Sequence, residues 1–461
     1  MGCRWDLCLK KVQGKGTIDV IFFVRQMIER YEAAGRKLYM VFVDLEKAFD
    51  RVPREVIWWA LRRKGVVERE ILAIIEMYAN ARTAVRVESE RSDWFEVNVG
   101  VHQGSVLSPL LFAVVLDEIT KDVREGILNE FLYADDLVLL GDSWKEVEER
   151  YSRWKNAIEE KGLRVNVGKT KAFCTGERAK TKICVKDPCS LCGKGVGSNS
   201  IQCYKCTKWV HKRCTNIKGS LLTVKNFECS ACQGCINDEA CLKSVCLAGD
   251  EIEKVESFCC LGDVLSTEDG VQGAVTARIR AGWKRFKDIS AVLCTNSLSL
   301  KLRGLLYKSY VRSAMCYGAE CWAVKVDNIR RLESTEMRML RLMSGKTLKD
   351  KIRNEKVRMM IGVEIPAGEF LRNQRLRWFG HVERMSKEKA PARAMAMKVA
   401  GKKIGRPKKQ WMEVIVDDMK RRGVHRKEAQ DREKWRCDCK HRLTPAGREL
   451  LLGSRKPRTN S

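Results

Sequence analysis

A run of paired cysteines limits what one part of this chain can fold into. The sequence has 21 cysteines, and 11 of them lie between Cys184 and Cys246. Eight candidate ligands follow one another as Cys189-x2-Cys192-x10-Cys203-x2-Cys206-x4-His211-x2-Cys214-x14-Cys229-x2-Cys232. Four closely spaced pairs are typical of two tetrahedral zinc sites. Because about fifty residues with few aliphatic side chains cannot build a core unaided, we expect metal to supply most of the folding free energy there.

The spacing resembles that of a PHD finger, including Trp209 two residues before His211. In that family the ligand pairs interleave. The resemblance therefore implies a first zinc site of Cys189, Cys192, His211 and Cys214 and a second of Cys203, Cys206, Cys229 and Cys232. Cys235 continues the x2 spacing, so it stays an alternative to Cys229 or Cys232. PHD fingers often read histone tails, which makes chromatin a candidate partner, with Trp209 either a cage aromatic or a packing residue.

The chain is strongly basic. It has 88 Lys and Arg residues against 59 Asp and Glu residues, which gives a formal net charge of +29 in 461 residues. This balance predicts a polyanionic partner, and nucleic acid is the first expectation. The longest wholly apolar run, Leu110 to Leu116, is far shorter than the roughly 20 residues of a membrane span, and no secretory signal is evident. We therefore expect an intracellular, nuclear protein without a membrane partner, in which metal ligation explains the cysteines better than disulfide bonds do.

Three further segments carry residues that one reaction would need. Asp44 follows the apolar residues 41–43, a loop contains His102-Gln103-Gly104, and Asp135-Asp136 precede the apolar residues 137–140. A double Asp is often only a turn former. Acids that flank buried strands, however, need a counter-charge. Two divalent cations would neutralise them and form a centre for phosphoryl transfer, and hard oxygen ligands favour Mg²⁺.

These segments resemble the palm motifs of non-LTR retrotransposon (LINE-type) reverse transcriptases. The resemblance lies in residues 43–50, VDLEKAFD, in residues 102–109, HQGSVLSP, and in residues 133–136, YADD. It extends to residues 162–171 and to residues 258–262, which resemble the primer-grip strand. It covers about 14–180 and 250–436. The fold it implies is α+β: a right-hand polymerase palm with a helical thumb, a small zinc-bound insert and a basic helical C-terminal region.

The resemblance also implies site residues and partners. Asp44, Asp135 and Asp136 would hold two Mg²⁺ ions, and Asp50 is expected to be structural. Phe49 would exclude a ribose 2′-hydroxyl, with a plain core residue as the alternative. Gln103 and Gly104 would lie at the nucleotide, and Lys169 would be a phosphate-side cation or a solvated lysine. The partners implied are an RNA template, a DNA primer and deoxynucleoside triphosphates.

The domain boundaries that we expect follow from these motifs. They are a remnant of the fingers at 1–36, the reverse transcriptase palm at 37–183, the PHD-like insert at 184–249, the primer grip and thumb at 250–345, and the basic region at 346–461. Among the elements, we expect a strand pair at 83–87 and 94–99 and long helices at 273–293, 298–316 and 326–344. The segments flanking the insert should be adjacent in one sheet.

Three functions fit this sequence. The first is an RNA-directed DNA polymerase, weakened by an N-terminal truncation, since the family carries a fingers region upstream of the segment that begins at Gly14. The second is a non-catalytic nucleic-acid or chromatin binding protein. It would use the finger and the basic tail, where residues 377–382, RWFGHV, resemble the family's C-terminal region. The third is an unselected pseudogene product.

Overall fold

The structure, a computed structural model, describes residues 16–126, 128–176, 189, 191–192, 200–203, 209–215, 217, 227, 244–267, 270–401 and 408–439. The chain divides into two compact units. The larger contains residues 1–176 and 245–461, and the smaller contains residues 177–244. The two units are described separately below.

The larger unit begins with a helix and strand followed by a helical stretch. Its first elements are α1 (Thr17–Ala34), β1 (Tyr39–Val43), α2 (Ala48–Arg51), α3 (Arg54–Arg63) and α4 (Glu68–Tyr78). Four two-residue strands follow, β2 (Arg82–Thr83), β3 (Arg86–Val87), β4 (Glu90–Arg91) and β5 (Phe95–Glu96). Then come α5 (Ser108–Ile119), β6 (Glu130–Tyr133), β7 (Asp136–Gly141), α6 (Trp144–Glu160) and β8 (Lys171–Cys174).

A six-stranded sheet forms the centre of this unit, with the strand order β11-β12-β8-β1-β7-β6. Two of its strands come from the chain at and after the end of the smaller unit: β11 (Ser244–Leu247) and β12 (Asp250–Lys254). Strand β1 pairs antiparallel with β7 and β8, while β12 runs parallel to β8 with Glu253 opposite Lys171. The strands on either side of residues 177–244 are thus neighbours in one sheet, in agreement with the sequence analysis.

Alternating residues of β1 contribute to two different hydrophobic cores. Val41 and Val43 pack into a core with α3, α4, α5 and α6, whereas Met40 and Phe42 pack into a second core with α1. All four side chains are at most 5% exposed. The period of two follows from strand geometry, because successive side chains point to opposite faces. The sheet is therefore covered on both sides around β1.

The strand pair predicted at 83–87 and 94–99 forms two separate short ladders. Thr83 pairs with Phe95, and Val87 pairs with Glu90. All eight residues of β2, β3, β4 and β5 are exposed. With no buried face to continue the pairing, the ladders stay two residues long.

The chain after β12 is mainly helical. It contains the hairpin β13 (Ser257–Cys260) and β14 (Asp263–Ser266), then α7 (Val271–Asp288), α8 (Ser290–Leu293), α9 (Leu300–Leu306), a π-helix at Tyr307–Arg312, α10 (Ser313–Met315), α11 (Val326–Ser344) and α12 (Asn354–Ile361). The helix predicted at 298–316 is thus helical from Leu300 to Met315, with a π-helical turn in its middle. Its π-helical turn ends at Arg312, whose buried guanidinium donates to Glu336 of α11 at 2.6 Å. Ion pairing of buried charges makes this irregular turn part of the core.

The last described segment packs aromatic side chains against α1. It comprises α13 (Ala367–Glu383), α14 (Ala390–Ala396), α15 (Trp411–Arg422) and α16 (Arg432–Asp438). Phe22 of α1 meets Trp411 edge-on, with ring centroids 4.7 Å apart. No helix in the described ranges is long and apolar enough to cross a bilayer.

The smaller unit is described at part of its residues. Strands β9 (Ser200–Gln202) and β10 (Trp209–His211) pair antiparallel, with Trp209 opposite Gln202. A short 3₁₀ helix, Lys212–Cys214, follows β10. Cys189, Cys203 and Val210 form a small buried cluster, so thiol side chains take a large part in what core is described here.

Candidate active site at the edge of the central sheet

Strand register places three carboxylates together at one edge of the sheet. Val43, the last residue of β1, lies opposite Leu137 of β7. Asp44 therefore comes next to Asp136, which begins β7 opposite Tyr133 of β6. Asp135 lies in the two-residue turn between β6 and β7. A one-residue slip of this register would move each side chain to the other face, so the apolar residues of the strands also set the positions of the acids.

The turn that carries Asp135 has an unusual backbone. Ala134, its first residue, has a φ of 53°. A left-handed conformation costs a residue with a Cβ about 1 kcal/mol. Tight hairpin turns require positive φ, which explains why Ala134 adopts it. The strained turn places Asp135 next to Asp136, the first residue of β7, at the end of the strands.

The three carboxylates repel one another. Partial burial and the charges of Asp135 and Asp44 raise the pKa of Asp136 to about 6. Burial also raises the pKa of Asp44, with Asp135 adding to the shift and Lys169 opposing it. Asp44 and Asp136 are thus harder to ionise because they are partly buried and have negative neighbours, which is the arrangement that a bound cation stabilises.

The side chain of Asp44 has an oxygen atom without a hydrogen-bond partner among the described residues. Its Oδ2 is buried and makes no hydrogen bond with any described residue. The Lys169 ammonium lies 3.9 Å away and gives a loose ion pair. Buried polar atoms are normally hydrogen-bonded, so a carboxylate oxygen with only a loose ion pair, beside two other acids, fits a ligand for a divalent cation.

The loop before β8 holds Asp44 in place through its backbone. Asn166 N donates to Asp44 O at 2.8 Å, and Thr170 Oγ1 accepts from Asp44 N at 3.3 Å. Lys169 lies between these two residues in sequence, which brings its ammonium to Asp44. Asn166 and Thr170 lie in the segment 162–171 named above, but this role could not be predicted, because contacts with the backbone of another segment leave no recognisable sequence motif.

Phe49 belongs to α2, which begins four residues after Asp44, and the loop 102–104 contacts the same helix. Phe49 is half-buried, and its ring lies 4.5 Å from that of Phe112 of α5. Gln103 and Gly104 are exposed, and Gln103 Nε2 donates to Asp50 Oδ1 at 2.8 Å. Gly104 has a φ of +84°, with no atom within 4 Å of where a Cβ would stand. Glycine is therefore required by the backbone and leaves open space above the loop.

The hairpin of β13 and β14 lies against the same sheet. The Phe258 ring stacks on that of Phe42 at 4.1 Å. Burial raises the pKa of Cys260, and the charge of Asp136 adds to the effect. This electrostatic contact indicates that β13 passes close to the carboxylates. Cys260 thus lies within electrostatic range of Asp136, the sequence neighbour of Asp135.

Comparison with known proteins identifies the region that carries this site. Residues 8–221 match the family model described as reverse transcriptase (RNA-dependent DNA polymerase). The chain contains a reverse transcriptase domain. Asp44, Asp135 and Asp136 all lie within the matched residues, and the match continues into the smaller unit.

Relatives of the reverse transcriptase domain come from non-LTR retrotransposons. The Pol polyprotein of the type-1 retrotransposable element R2 from Nasonia vitripennis is 30% identical over 179 residues, which are 36% of this chain and 18% of that protein. The RNA-directed DNA polymerase from the mobile element jockey of Drosophila funebris is 26% identical over 34% of this chain and 17% of that protein. The aligned part is thus less than a fifth of the length of either relative.

Among solved structures, telomerase from Candida tropicalis in complex with a fragment of telomeric RNA aligns with 82% of this chain and 51% of its own. The TM-score is 0.32 at 11% identity. A score this low carries no argument about this chain.

Outside the sheet edge, the smaller unit brings four of the predicted zinc ligands together. The ligand atoms of Cys189, Cys192, His211 and Cys214 all lie within 4.8 Å of one another. Cys192 Sγ is 3.3 Å and Cys214 Sγ is 3.9 Å from His211 Nδ1. Although burial opposes it, hydrogen bonds from backbone N–H groups, that of His211 first, lower the pKa of Cys189 to about 6. Three thiols and an imidazole at this separation suit a tetrahedral metal ion.

The other predicted zinc ligands are only partly described. Cys203 is buried next to this cluster. Cys206, Cys229 and Cys232, and the alternative Cys235, lie outside the described residues. Trp209 is half-buried in β10.

Proposed function

We propose that this chain is an RNA-directed DNA polymerase of the non-LTR retrotransposon type, which extends a DNA primer along an RNA template with deoxynucleoside triphosphates. One observation carries the proposal: Asp44, Asp135 and Asp136 interact at one sheet edge within a reverse transcriptase domain, and their mutual repulsion contributes to raising the pKa of Asp136 to about 6. Two Mg²⁺ ions fit the oxygen ligands and the excess negative charge.

Asp44 and Asp135 are the residues that would hold the ions, with Asp136 beside them completing the acidic group. When bound, the ions supply a lowered pKa at the primer 3′-hydroxyl and neutralise charge on the departing pyrophosphate. The protein contributes position. The Asn166 and Thr170 contacts fix the backbone of Asp44, whose Oδ2 makes no hydrogen bond to a described residue. Lys169 partly balances the charge of Asp44 and is placed to attract a phosphate.

Substrate selection rests on Phe49 and the loop at Gln103 and Gly104. The Phe49 ring is half-buried and packs against Phe112, with the ring centroids 4.5 Å apart. It would reject a ribonucleotide by steric exclusion. The open space above Gly104 leaves room for the backbone to approach the nucleotide and template.

Primer extension on an RNA template tests this function. The purified chain should extend a DNA primer in Mg²⁺, and Asp135→Asn should lower the rate by at least about a thousandfold, since it removes a charged ligand at the reacting centre. Asp122→Asn changes an exposed aspartate outside the site and is the matched control. Equal extension by the wild type and by Asp135→Asn would refute the proposal.

We also propose that the smaller unit binds two structural zinc ions. Support comes from the clustering of Cys189, Cys192, His211 and Cys214, whose ligand atoms lie within 4.8 Å. The second site would use Cys203, Cys206, Cys229 and Cys232. Metal analysis of chelator-washed protein should return two zinc ions per chain. Cys232→Ser and Cys235→Ser should differ in zinc content, which decides between these two ligands, and Cys246→Ser is the control.

A non-catalytic nucleic-acid or chromatin binding protein is the second candidate, favoured by the net charge of +29 and by the Cys and His cluster. Tight RNA or DNA binding that Asp135→Asn leaves unchanged, in a chain that extends no primer, would favour it over the polymerase. Binding should fall steeply between roughly 50 and 200 mM salt, because phosphate contacts release counterions.

A further inference from the structure

The contact between Gln103 and Asp50 has a defined polarity. Gln103 Nε2 lies 2.8 Å from Asp50 Oδ1. A glutamine amide has one donor end and one acceptor end, and a carboxylate only accepts. The nitrogen of Gln103 must therefore face Asp50. This assignment depends on the chemistry of the two groups, not on telling nitrogen from oxygen.

The loop around Gln103 is fixed on the side of α2. Val101 N donates to Phe49 O at 2.8 Å, and Gly100 N donates to Val52 O at 2.9 Å. A Cβ on Gly100 would stand 2.6 Å from Asp50 O, so the two segments lie as close as their backbones allow. Asp50 and Gln103 thus belong to segments that cannot move far apart.

A stack of three side chains holds the same loop from the other direction. The His102 ring lies 4.2 Å from that of Tyr78, with an interplanar angle of 18°. The Arg54 guanidinium lies 5.1 Å from the Tyr78 ring centre and donates to Tyr78 O at 3.0 Å. His102 O accepts from Ser108 Oγ at 2.6 Å. The main chain just before Gln103 is therefore restrained, and the side-chain amide is free to adopt the orientation that its partner selects.

We propose that Asp50 is a positioning residue that sets the amide orientation of Gln103. By engaging Nε2, it leaves Oε1 as the group that Gln103 offers to a nucleotide, so the site presents an acceptor there. The proposal rests on the proposed polymerase function, in which Gln103 lies at the nucleotide. It gives Asp50 a role through Gln103, in place of the purely structural one that the sequence predicts.

Nucleotide binding in a double-mutant cycle tests the inference. The full chain is bound to an RNA template and a dideoxy-terminated DNA primer, and the dissociation constant of the complementary deoxynucleoside triphosphate is measured in Mg²⁺. Gln103→Ala should weaken binding about tenfold, the change expected for one lost hydrogen bond. Asp50→Ala should weaken it several-fold. The double variant should bind as Gln103→Ala does, because Asp50 acts only through Gln103.

The controls separate positioning from folding. Asp50 is exposed, so Asp50→Ala should keep the melting temperature of the wild type, as should Asp93→Ala, an exposed aspartate of the β2 to β5 region. Additive losses in the double variant, or no loss in Asp50→Ala, would overturn the role of Asp50. If the wild type fails to bind the nucleotide, the proposed polymerase function itself is overturned, a result distinct from either of these.

Discussion

The sheet edge and the Cys and His cluster both gather groups that suit metal ions, but the protein assembles them in different ways. Asp44, Asp135 and Asp136 stand on hydrogen-bonded strands whose β1 residues are buried on both faces. Their approach is unfavourable in itself. Cys189 and Cys203, by contrast, form much of the small core described in their own unit. The difference teaches that hydrogen-bonded strands with buried side chains can hold ligands against their repulsion, whereas a unit with so few apolar side chains would rely on a bound metal ion, as proposed above, for its folding free energy.

The largest effect that would test this comparison is removal of zinc. Chelation or His211→Ala should unfold residues 177–244, since a structural zinc ion contributes on the order of 10 kcal/mol to folding. The melting transition of the larger unit should stay unchanged. Limited proteolysis with calorimetry measures both effects, and Arg213→Ala, at an exposed neighbouring residue, is the control. A chelated protein in which residues 177–244 resist protease as before would break the comparison.

A smaller effect concerns the side chain of Phe49. Phe49→Val should lower discrimination against ribonucleotides by about tenfold to a hundredfold, because a shorter side chain leaves room for the 2′-hydroxyl. Competition between matched deoxynucleotides and ribonucleotides in primer extension measures it. Phe95→Val, at an exposed aromatic residue, should leave the ratio unchanged. A lower melting temperature with unaltered discrimination would mean that Phe49 is only a core residue.

The smallest expected effect reports on the repulsion between Asp136 and the neighbouring carboxylates. The pKa of Asp136 is raised from 3.8 to about 6 in the folded chain. The folded state therefore binds more protons between these values, and stability falls as the pH rises through about 6. Without divalent cations, Asp136→Asn should be more stable than the wild type at pH 8, by up to about 1 kcal/mol, since solvent screens a partly exposed group. Chemical denaturation at pH 5 and pH 8 measures it.

The comparison for Asp136→Asn has two controls. The stabilisation should shrink at pH 5, where the carboxyl of the wild type is largely protonated, and Asp122→Asn should show no pH-dependent gain. A variant that is less stable than the wild type at pH 8 would mean that the sheet edge does not hold its acids under repulsion.

Much of the larger unit could be predicted from sequence where apolar periodicity was strong. The helix at Thr17–Ala34 and the strands around Asp44 and Asp136 follow runs of apolar residues, and the motif order indicated that these acids would meet. The strand pair predicted at 83–87 and 94–99 forms only as two-residue ladders, because the β-forming residues there have no core to pack on. The π-helix at Tyr307–Arg312 was missed since a buried ion pair with Glu336 leaves no local pattern.

The site shows the same limit. Residue type identified the carboxylates, but the contacts of Asp44 with Asn166 and Thr170, and of Gln103 with Asp50, join segments distant in sequence. Such contacts depend on how loops meet after folding, which no single segment encodes. The separation of residues 177–244 from the sheet could be predicted because its ligand spacing is local.

The burial of β1 on both faces limits how the three carboxylates can be misplaced during folding. A one-residue shift of β1 along its partners would exchange Val41 and Val43 for Met40 and Phe42, so that both cores would have to repack at once. A misaligned trio of acids in an otherwise folded molecule should thus be a rare species. Mutations that weaken the packing of β1 should lower the fraction of correctly folded, active protein. They should not change the geometry of the carboxylates in the molecules that do fold.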